Sequence, residues 1–358
     1  MRQLRIFKNK KVLITGHTGF KGSWLALWLS MSGAKVMGIS NKIITSPSNF
    51  NAIKLKKEIV SKNIDIRNLK KIKTTIIKFQ PDFVFHLAAQ SLVKKSYEDP
   101  IYTYETNTIG TLNILESLRF LKKRCNAVLI TSDKSYKNLE IKRGYKENDL
   151  LGGIDPYSSS KASAELIIQT YIKTFLKKHH NIRIGIARAG NVIGGGDWSL
   201  NRLIPDCVKS WSKNKNVLIR NPKSTRPWQH VLEALSGYII LSYKLSINKK
   251  IHGEAFNFGP SNKNEFNVID VINKMKKDWK KVSWKIIKKD QLQYESILLK
   301  LNTNKSKKFL NWKSVLSFQE TIKLVTTWYK YYYENKKDIK KISVDQIRYF
   351  EKIFDKRV

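Results

Sequence analysis

Tyr157 and Lys161 stand four residues apart in "YSSSK", on one face of a helix that would begin after Pro156. An ammonium beside a phenol lowers the phenol's pKa, so that a phenolate can accept a proton near neutral pH. Upstream, "ITSDKSY" (130–136) closes an apolar run with Ser132, Asp133 and Lys134. The C-terminal end of a strand is where open α/β sheets place their chemistry. There the dipeptide Asp133-Lys134 has two readings. It is either a surface ion pair closing the strand or an acid–base couple whose second member carries an unexpected positive charge.

A third group of residues speaks to a cofactor. "TGHTGFKG" sets Gly16, Gly19 and Gly22 directly after the apolar run "KVLIT" and at the head of a helix, with Thr18 and Phe20 between them. Small residues let the backbone approach a pyrophosphate, and the helix N-terminus offers it free amides and a positive dipole. Strand, turn and helix together favour a dinucleotide site over a plain turn, although the spacing G-x-x-G-x-x-G differs from the usual G-x-G-x-x-G. The acid that normally holds the NAD ribose about 20 positions on is missing from "GISNK" (38–42). Lys42 would equally suit the phosphate of NADP. Asp65, in "NIDI", reads evenly as an adenine-contacting carboxyl or as the cap of a helix over "RNLKKIKT".

These residues need a scaffold, and the pattern supplies one. "KVLIT" (11–15), "AKVMGIS" (34–40), "IVSKNIDI" (59–66), "PDFVFHLAA" (81–89), "NAVLITS" (126–132) and "IRIGIARAG" (182–190) are short apolar or β-branched runs. Helical stretches separate them, among them 21–33, 106–123 and 157–178. Apolar strands alternating with amphipathic helices predict an α/β fold, a doubly wound parallel sheet buried on both faces. After Gly190 glycine, proline and tryptophan punctuate the chain and the alternation becomes irregular. That change predicts a smaller C-terminal lobe exchanging segments with the first domain.

Composition narrows the classes. The 358 residues, 41% hydrophobic, are enough to bury a full core. The net charge of +40 invites a nucleic-acid reading, but the lysines are spread over helix faces and ends, with no basic tail, zinc spacing or aromatic nucleotide-binding signature. The charge would still attract acidic ligands such as nucleotide diphosphates. Cys125 and Cys207 form neither a disulfide framework nor a metal cluster, so a reducing cytoplasm and no metal are expected. The apolar run "WLALWLSMSG" is too short to span a membrane, and "MRQLRIFKNKK" leads into a poor signal-peptide core.

The glycine turn, "HLAA", Ser132 and Tyr157-x-x-x-Lys161 together resemble the short-chain dehydrogenase/reductase family in its extended, nucleotide-sugar-modifying branch. Within it, "GHTGFKGSWL", "FHLAAQSLV", "TSDKSY", "DPYSSSKASAE", "RAGNVIGGGDW", "RNPKSTRPWQHVLE" and "FNFGP" look like the CDP-glucose 4,6-dehydratases. The resemblance covers nearly the whole chain and is weakest after about residue 265. It implies a Rossmann-type domain over 1–190, completed by about 228–258, and a nucleotide-sugar lobe over 191–227 and 259–358. It implies NAD, ahead of NADP, held by Gly16, Thr18, Gly19, Phe20, Gly22, Asp65, Ile66, Leu87, Ala88, Ala89, Tyr157 and Lys161. Ser132 would bind the sugar hydroxyl, Tyr157 would act as its base, Asp133 as the acid for water loss and Lys134 as the base at C5. Related dehydratases carry Asp-Glu at this pair, so the lysine is the departure; the other reading leaves both protons to Asp133. Gln90, Ser91, Asn191, Arg202, Arg220, Arg226 and His230 would bind CDP-glucose, with Trp198 or Trp228 beside the base or simply in the core. The product would feed deoxysugars of surface polysaccharides such as O-antigen.

Homodimers of the family pack two long helices per subunit, here 106–123 and 157–178, into a four-helix bundle, and a dimer of dimers is the larger option. Tyr171 fits such an interface or intramolecular packing equally. His86, inside "FVFHLAA", reads as a satisfied core histidine, and Asn107 as a bridge between strand ends or a cofactor contact. Two other readings stay open. One is an NAD(P)-dependent epimerase, dehydratase or reductase acting on another nucleotide sugar. The other is a non-catalytic nucleic-acid binder resting on charge alone.

Overall fold

A computed structural model describes residues 1–358 apart from 142, 177–180, 220, 261–265, 288–298 and 336–337. Six of the sequence's apolar runs form strands: β1 (Lys11–Thr15), β2 (Lys35–Ser40), β3 (Val60–Asn63), β4 (Phe83–His86), β5 (Cys125–Ile130) and β6 (Ile182–Ala189). A seventh, Ala255–Phe258, joins beside β6. The spatial order is Ala255–Phe258, β6, β5, β4, β1, β2, β3, with every neighbouring pair parallel.

Alternate side chains of each strand enter opposite layers. Leu13, Val84, Ala127 and Leu129 meet Ile72, Ile76, Ile114 and Ile168 from helices on one face. Val12, Ile14, Phe85 and Val128 meet Trp24, Trp28, Leu235 and Ile239 on the other. Burial on both faces is why β4 and β5 are continuous apolar runs. β3, at the sheet edge, is mostly exposed and carries Lys62. The strand order reverses between β1 and β4, which opens a crevice at their C-terminal ends.

One helix differs from expectation. The segment expected to begin at Thr106 starts at Pro100, where the Asp99 carboxylate accepts the amide of Tyr102 at 3.0 Å. It passes through a wide turn at Glu105–Ile109 and continues over Gly110–Arg119. Asp-Pro is a sound start signal, an N-cap followed by a proline whose missing N–H costs nothing there. Asn107 therefore lies inside a helical run and not at its head.

Apart from Ala255–Phe258, the strands beyond β6 are two- or three-residue pairings: Val192–Ile193 with Gln229–His230, Thr225–Arg226 with Phe266–Asn267, and Val217–Ile219 with Trp284–Ile286. The buried Glu233 ties the helix Val231–Ile247 to the later chain, one carboxylate oxygen accepting from Ser314 Oγ, Val315 N and Leu316 N at 3.0, 2.8 and 2.6 Å. The helix Ile339–Arg357 returns to the helix Phe20–Met31. There Trp28 Nε1 donates to Glu351 at 2.7 Å and the Trp28 ring meets Phe350 edge-on at 5.7 Å. No helix among the described residues is long and apolar enough to cross a membrane.

Candidate active site

A cleft of about 1230 Å³ runs along the C-terminal ends of the strands. At one end the chain leaves β1 through Gly16, which has φ +78°; a Cβ there would lie 2.7 Å from the Ala88 nitrogen. Gly22 packs as tightly, since its Cβ would fall 2.1 Å from the Gly16 carbonyl oxygen. Side chains would close this cradle. The helix Phe20–Met31 that follows is capped by Gly19 with no side-chain bond, which leaves its first amides for an anion. Gly16, Thr18, Gly19, Phe20, Gly22, Leu87, Ala88 and Ala89 all line this end, and a pyrophosphate fits the donor set.

Asp65 and Ile66 line the same stretch. The Asp65 carboxylate accepts from Arg67 Nη2 at 2.9 Å and Asn41 Nδ2 at 3.3 Å. Burial pushes its pKa up, but the Arg67 hydrogen bonds outweigh that and leave it below the usual carboxylate range. The helix-cap reading of Asp65 falls, because Asn68 caps Leu69–Phe79 by accepting from Lys71 N at 3.0 Å.

At the centre of the cleft, Ser132 Oγ donates to Asp133 Oδ1 at 3.0 Å and accepts from the Lys134 amide at 3.2 Å. Asp133 is buried, Lys134 half-buried, and both face the cleft. Burial raises the Asp133 pKa against the opposing charges of Lys134 and Lys21 and the Ser132 hydrogen bond. Tyr157 and Lys161 come from the helix Pro156–Tyr171, started by Asp155, which accepts from Ser158 N at 3.0 Å. The expected lowering of the phenol by Lys161 is not what the structure shows. Burial raises the Tyr157 pKa, while a Ser132 hydrogen bond and the Arg202 charge pull it down. Lys161 Nζ instead donates to the Ile130 carbonyl at 3.4 Å.

Burial lowers the Lys161 ammonium from 10.5 to about 8, with Glu165 opposing. The folded chain therefore binds fewer protons than the unfolded one between pH 8 and 10.5, and stability rises with pH across that window. Below pH 8 the full cost applies, about 3 kcal/mol. Lys161→Met is accordingly expected to raise the melting temperature at pH 7 and to lose that gain by pH 10.5. A melting temperature at pH 7 no higher than wild type would count against a buried charge at this position.

The substrate end divides. Ser91, Asn191, Arg202 and Arg226 line the cleft, and Asp197 Oδ2 accepts from Arg202 Nη1 at 2.9 Å. Gln90 lines it too, but its amide is spent on Leu92 and Thr103. Asn107 bridges Gln90 N and O at 2.8 and 3.0 Å to Ser160 Oγ at 2.9 Å, joining the end of β4 to the Tyr157 helix. Trp228 lines the cleft while donating to Phe266 O at 2.9 Å; Trp198 reaches its edge but is 1% exposed among Trp328, Tyr329 and Tyr332.

The expectation that His230 binds substrate is not met. It is fully buried, does not line the cleft, and caps the helix Val231–Ile247 by accepting from Leu232 N at 3.3 Å. Arg220 lies outside the described residues. His86 is a core histidine held by Thr15 at 2.7 Å and Thr111 at 3.1 Å, and burial lowers it to about 3. Lys21 is a cleft residue the sequence reading passed over; burial, then the Arg202 charge, lower it to about 8. Its signal was present, since a cation in the first turn of a helix opposes the dipole.

A glycine cradle at the switch point of a parallel sheet, with Ser132, Tyr157 and Lys161 in one cleft, is the arrangement of the extended short-chain dehydrogenase/reductases. The GDP-mannose 4,6 dehydratase family profile matches residues 13–325. The chain is 43% identical over 329 residues to the CDP-glucose 4,6-dehydratase of Salmonella typhimurium, spanning 90% of this chain and 91% of that enzyme. Among solved structures, the epimerase Mth375 of Methanothermobacter thermautotrophicus superposes with TM-score 0.80 at 24% identity over 95% of this chain and 97% of its own. The dTDP-glucose 4,6-dehydratase of Bacillus anthracis does so with TM-score 0.73 at 24% identity, over 90% and 96%. Both share the fold. The chain belongs to the GDP-mannose 4,6 dehydratase family and is an enzyme of its dehydratase class.

Proposed function

We propose that the chain converts CDP-glucose to CDP-4-dehydro-6-deoxyglucose and water, with NAD as resident cofactor. The observation that carries this reading is a second acid–base pair, Asp133 and Lys134, in the cleft that holds Tyr157 and Lys161. An epimerase or reductase needs the tyrosine and lysine but has no task for that pair. Kinship at 43% identity with a CDP-glucose 4,6-dehydratase supports the nucleotide and the sugar.

Bound NAD would supply a hydride acceptor for C4 and return the same hydride to C6, so no net oxidation results. The glycine cradle would hold its pyrophosphate, Asp65 and Ile66 its adenosine, and Lys161 its nicotinamide ribose. Ser132 Oγ orients the sugar 4-hydroxyl and Tyr157 Oη takes its proton. The resulting ketone acidifies C5, and Lys134 Nζ removes that proton. Asp133, whose raised pKa keeps it protonated closer to neutrality, gives its proton to the departing 6-hydroxyl, which leaves as water. Arg202 and Arg226 match a diphosphate, and Asn191 a phosphate or sugar oxygen.

In this reading 1–190 with about 228–258 form the cofactor unit, and 191–227 with 259–358 the nucleotide-sugar lobe. Exposed Ile109, Leu166 and Phe175 on the two long helices support a homodimer built on that face.

Product analysis tests the proposal. CDP-glucose with catalytic NAD is expected to give a 4-keto-6-deoxy sugar without net NADH. A C4 epimer, stoichiometric NADH, or turnover of GDP-, UDP- or TDP-glucose alone overturns it.

A further inference from the structure

Beneath the catalytic turn lies a buried polar network that the reaction as described does not use. Arg188, on β6, and Glu165, on the helix that carries Tyr157 and Lys161, are 1% and 0% exposed. Arg188 Nε donates to Glu165 Oε1 and Oε2 at 2.8 and 3.0 Å, and Nη2 donates to Oε2 as well. Glu165 Oε1 also accepts from Thr131 Oγ1 at 2.6 Å and from Ser135 Oγ at 2.9 Å, the Ser135 hydroxyl sharing its one hydrogen with the Ser132 carbonyl at 2.6 Å. Those two residues immediately flank Ser132-Asp133-Lys134. Arg188 Nη1 donates onward to Tyr136 Oη at 2.7 Å, and Tyr136 Oη to Asn257 Oδ1 at 2.8 Å. One carboxylate thus grips both ends of a three-residue turn, and one guanidinium grips the carboxylate.

Stability is a weak reason for such a pair, because well-packed apolar residues often serve a core as well as two desolvated charges do. Position is a stronger one. The redox residues Tyr157 and Lys161 are placed by their helix. Asp133 and Lys134 sit on a short turn after a strand, and the contacts that flank them run through Thr131 and Ser135 to Glu165.

We propose that Glu165, oriented by Arg188, is a positioning residue that fixes the Ser132-Asp133-Lys134 turn through the Thr131 and Ser135 hydroxyls, and so governs elimination more than oxidation. The inference rests on the dehydratase reading. Displacing a reacting group by about 1 Å costs roughly a hundredfold in rate. The C5 and C6 steps, which need two groups of that turn, carry this cost. Oxidation at C4 needs one group of that turn, Ser132, but keeps its base on the helix, and so carries less of the cost.

The double variant Thr131→Val/Ser135→Ala removes both hydroxyls and leaves the buried ion pair whole, so no uncompensated charge threatens folding. Oxidation is read by reduced-nicotinamide absorbance with CDP-6-deoxyglucose, which has no 6-hydroxyl to lose. Elimination is read by 4-keto-6-deoxy product and by exchange of the C5 hydrogen with solvent, using CDP-glucose. The expected result is elimination lowered about tenfold to a hundredfold, oxidation lowered about fivefold at most because only Ser132 of the turn serves it, and recovery of elimination in Thr131→Ser with Ser135 intact. Equal loss in both halves, or a lowered melting temperature with both halves intact, overturns the positioning role. Wild type that oxidises CDP-glucose without eliminating water sinks the dehydratase reading and this proposal with it, and is told apart because it appears without any substitution.

Discussion

Tyr157→Phe is expected to reduce turnover of the nucleotide sugar about a thousandfold while leaving CDP affinity unchanged. The ring is buried, so phenylalanine keeps its packing and removes only the oxygen. General-base catalysis contributes about 10² to 10⁴ in rate, and here one oxygen must take the first proton before any later step can begin. The structure adds a condition. Burial raises the phenol's pKa, and the groups that oppose this are the Ser132 hydroxyl and the Arg202 charge. Ser132→Ala should therefore move the acidic limb of the kcat/KM profile to higher pH, besides weakening sugar binding. Steady-state kinetics with calorimetric titration of CDP checks both parts. A loss below tenfold in Tyr157→Phe would remove the tyrosine from its role as base.

Lys134→Ala is expected to stop exchange of the C5 hydrogen with solvent and to lower elimination about a hundredfold, with the C4 ketone still formed. Its partner should fail differently. Asp133→Asn keeps the C5 base but cannot donate a proton to the leaving oxygen, so exchange continues while water stays. The two variants together separate C–H cleavage from C–O cleavage, which a lysine in this position makes worth doing. An ammonium is the wrong charge state for a base, so Lys134 must lose its proton before it can act. Unchanged C5 exchange in Lys134→Ala transfers both protons to Asp133. Deuterium incorporation followed by NMR distinguishes the outcomes.

The sheet was legible in the sequence because strands buried on both faces are mostly apolar, and "FVFH" and "NAVLI" each carry a single polar residue. The glycine cradle was legible because Gly16 and Gly22 leave no space for a Cβ. Tyr157 and Lys161 were legible because helical spacing puts i and i+4 together. What escaped was set by contacts distant in the chain. Glu165 and Arg188 are 23 residues apart, on a helix and a strand, and no local pattern announces their pairing. His230, a substrate ligand by what the family resemblance implies, is taken into the core by the Val192–Ile193 pairing and the helix cap. Reading the helix start at Thr106 missed Asp99-Pro100, a local signal outweighed by the apolar run that follows.

The return of the helix Ile339–Arg357 to Trp28 has a consequence for the order in which the chain acquires its shape. The Trp28–Glu351 contact joins residues 323 apart. A ribosome adding about 5–20 residues per second needs on the order of 20 to 60 seconds to deliver the second partner after the first. Throughout that interval the Trp28 indole and its side of the helix Phe20–Met31 wait without their cover, although Leu235 and Ile239 reach the sheet itself earlier. The opposite flank has what it needs much earlier, because Ile72, Ile76, Ile114 and Ile168 all precede residue 170. A nascent chain would thus become clad from one side first, leaving the outer surface of that helix for chaperones to shield until residues 339–357 are made.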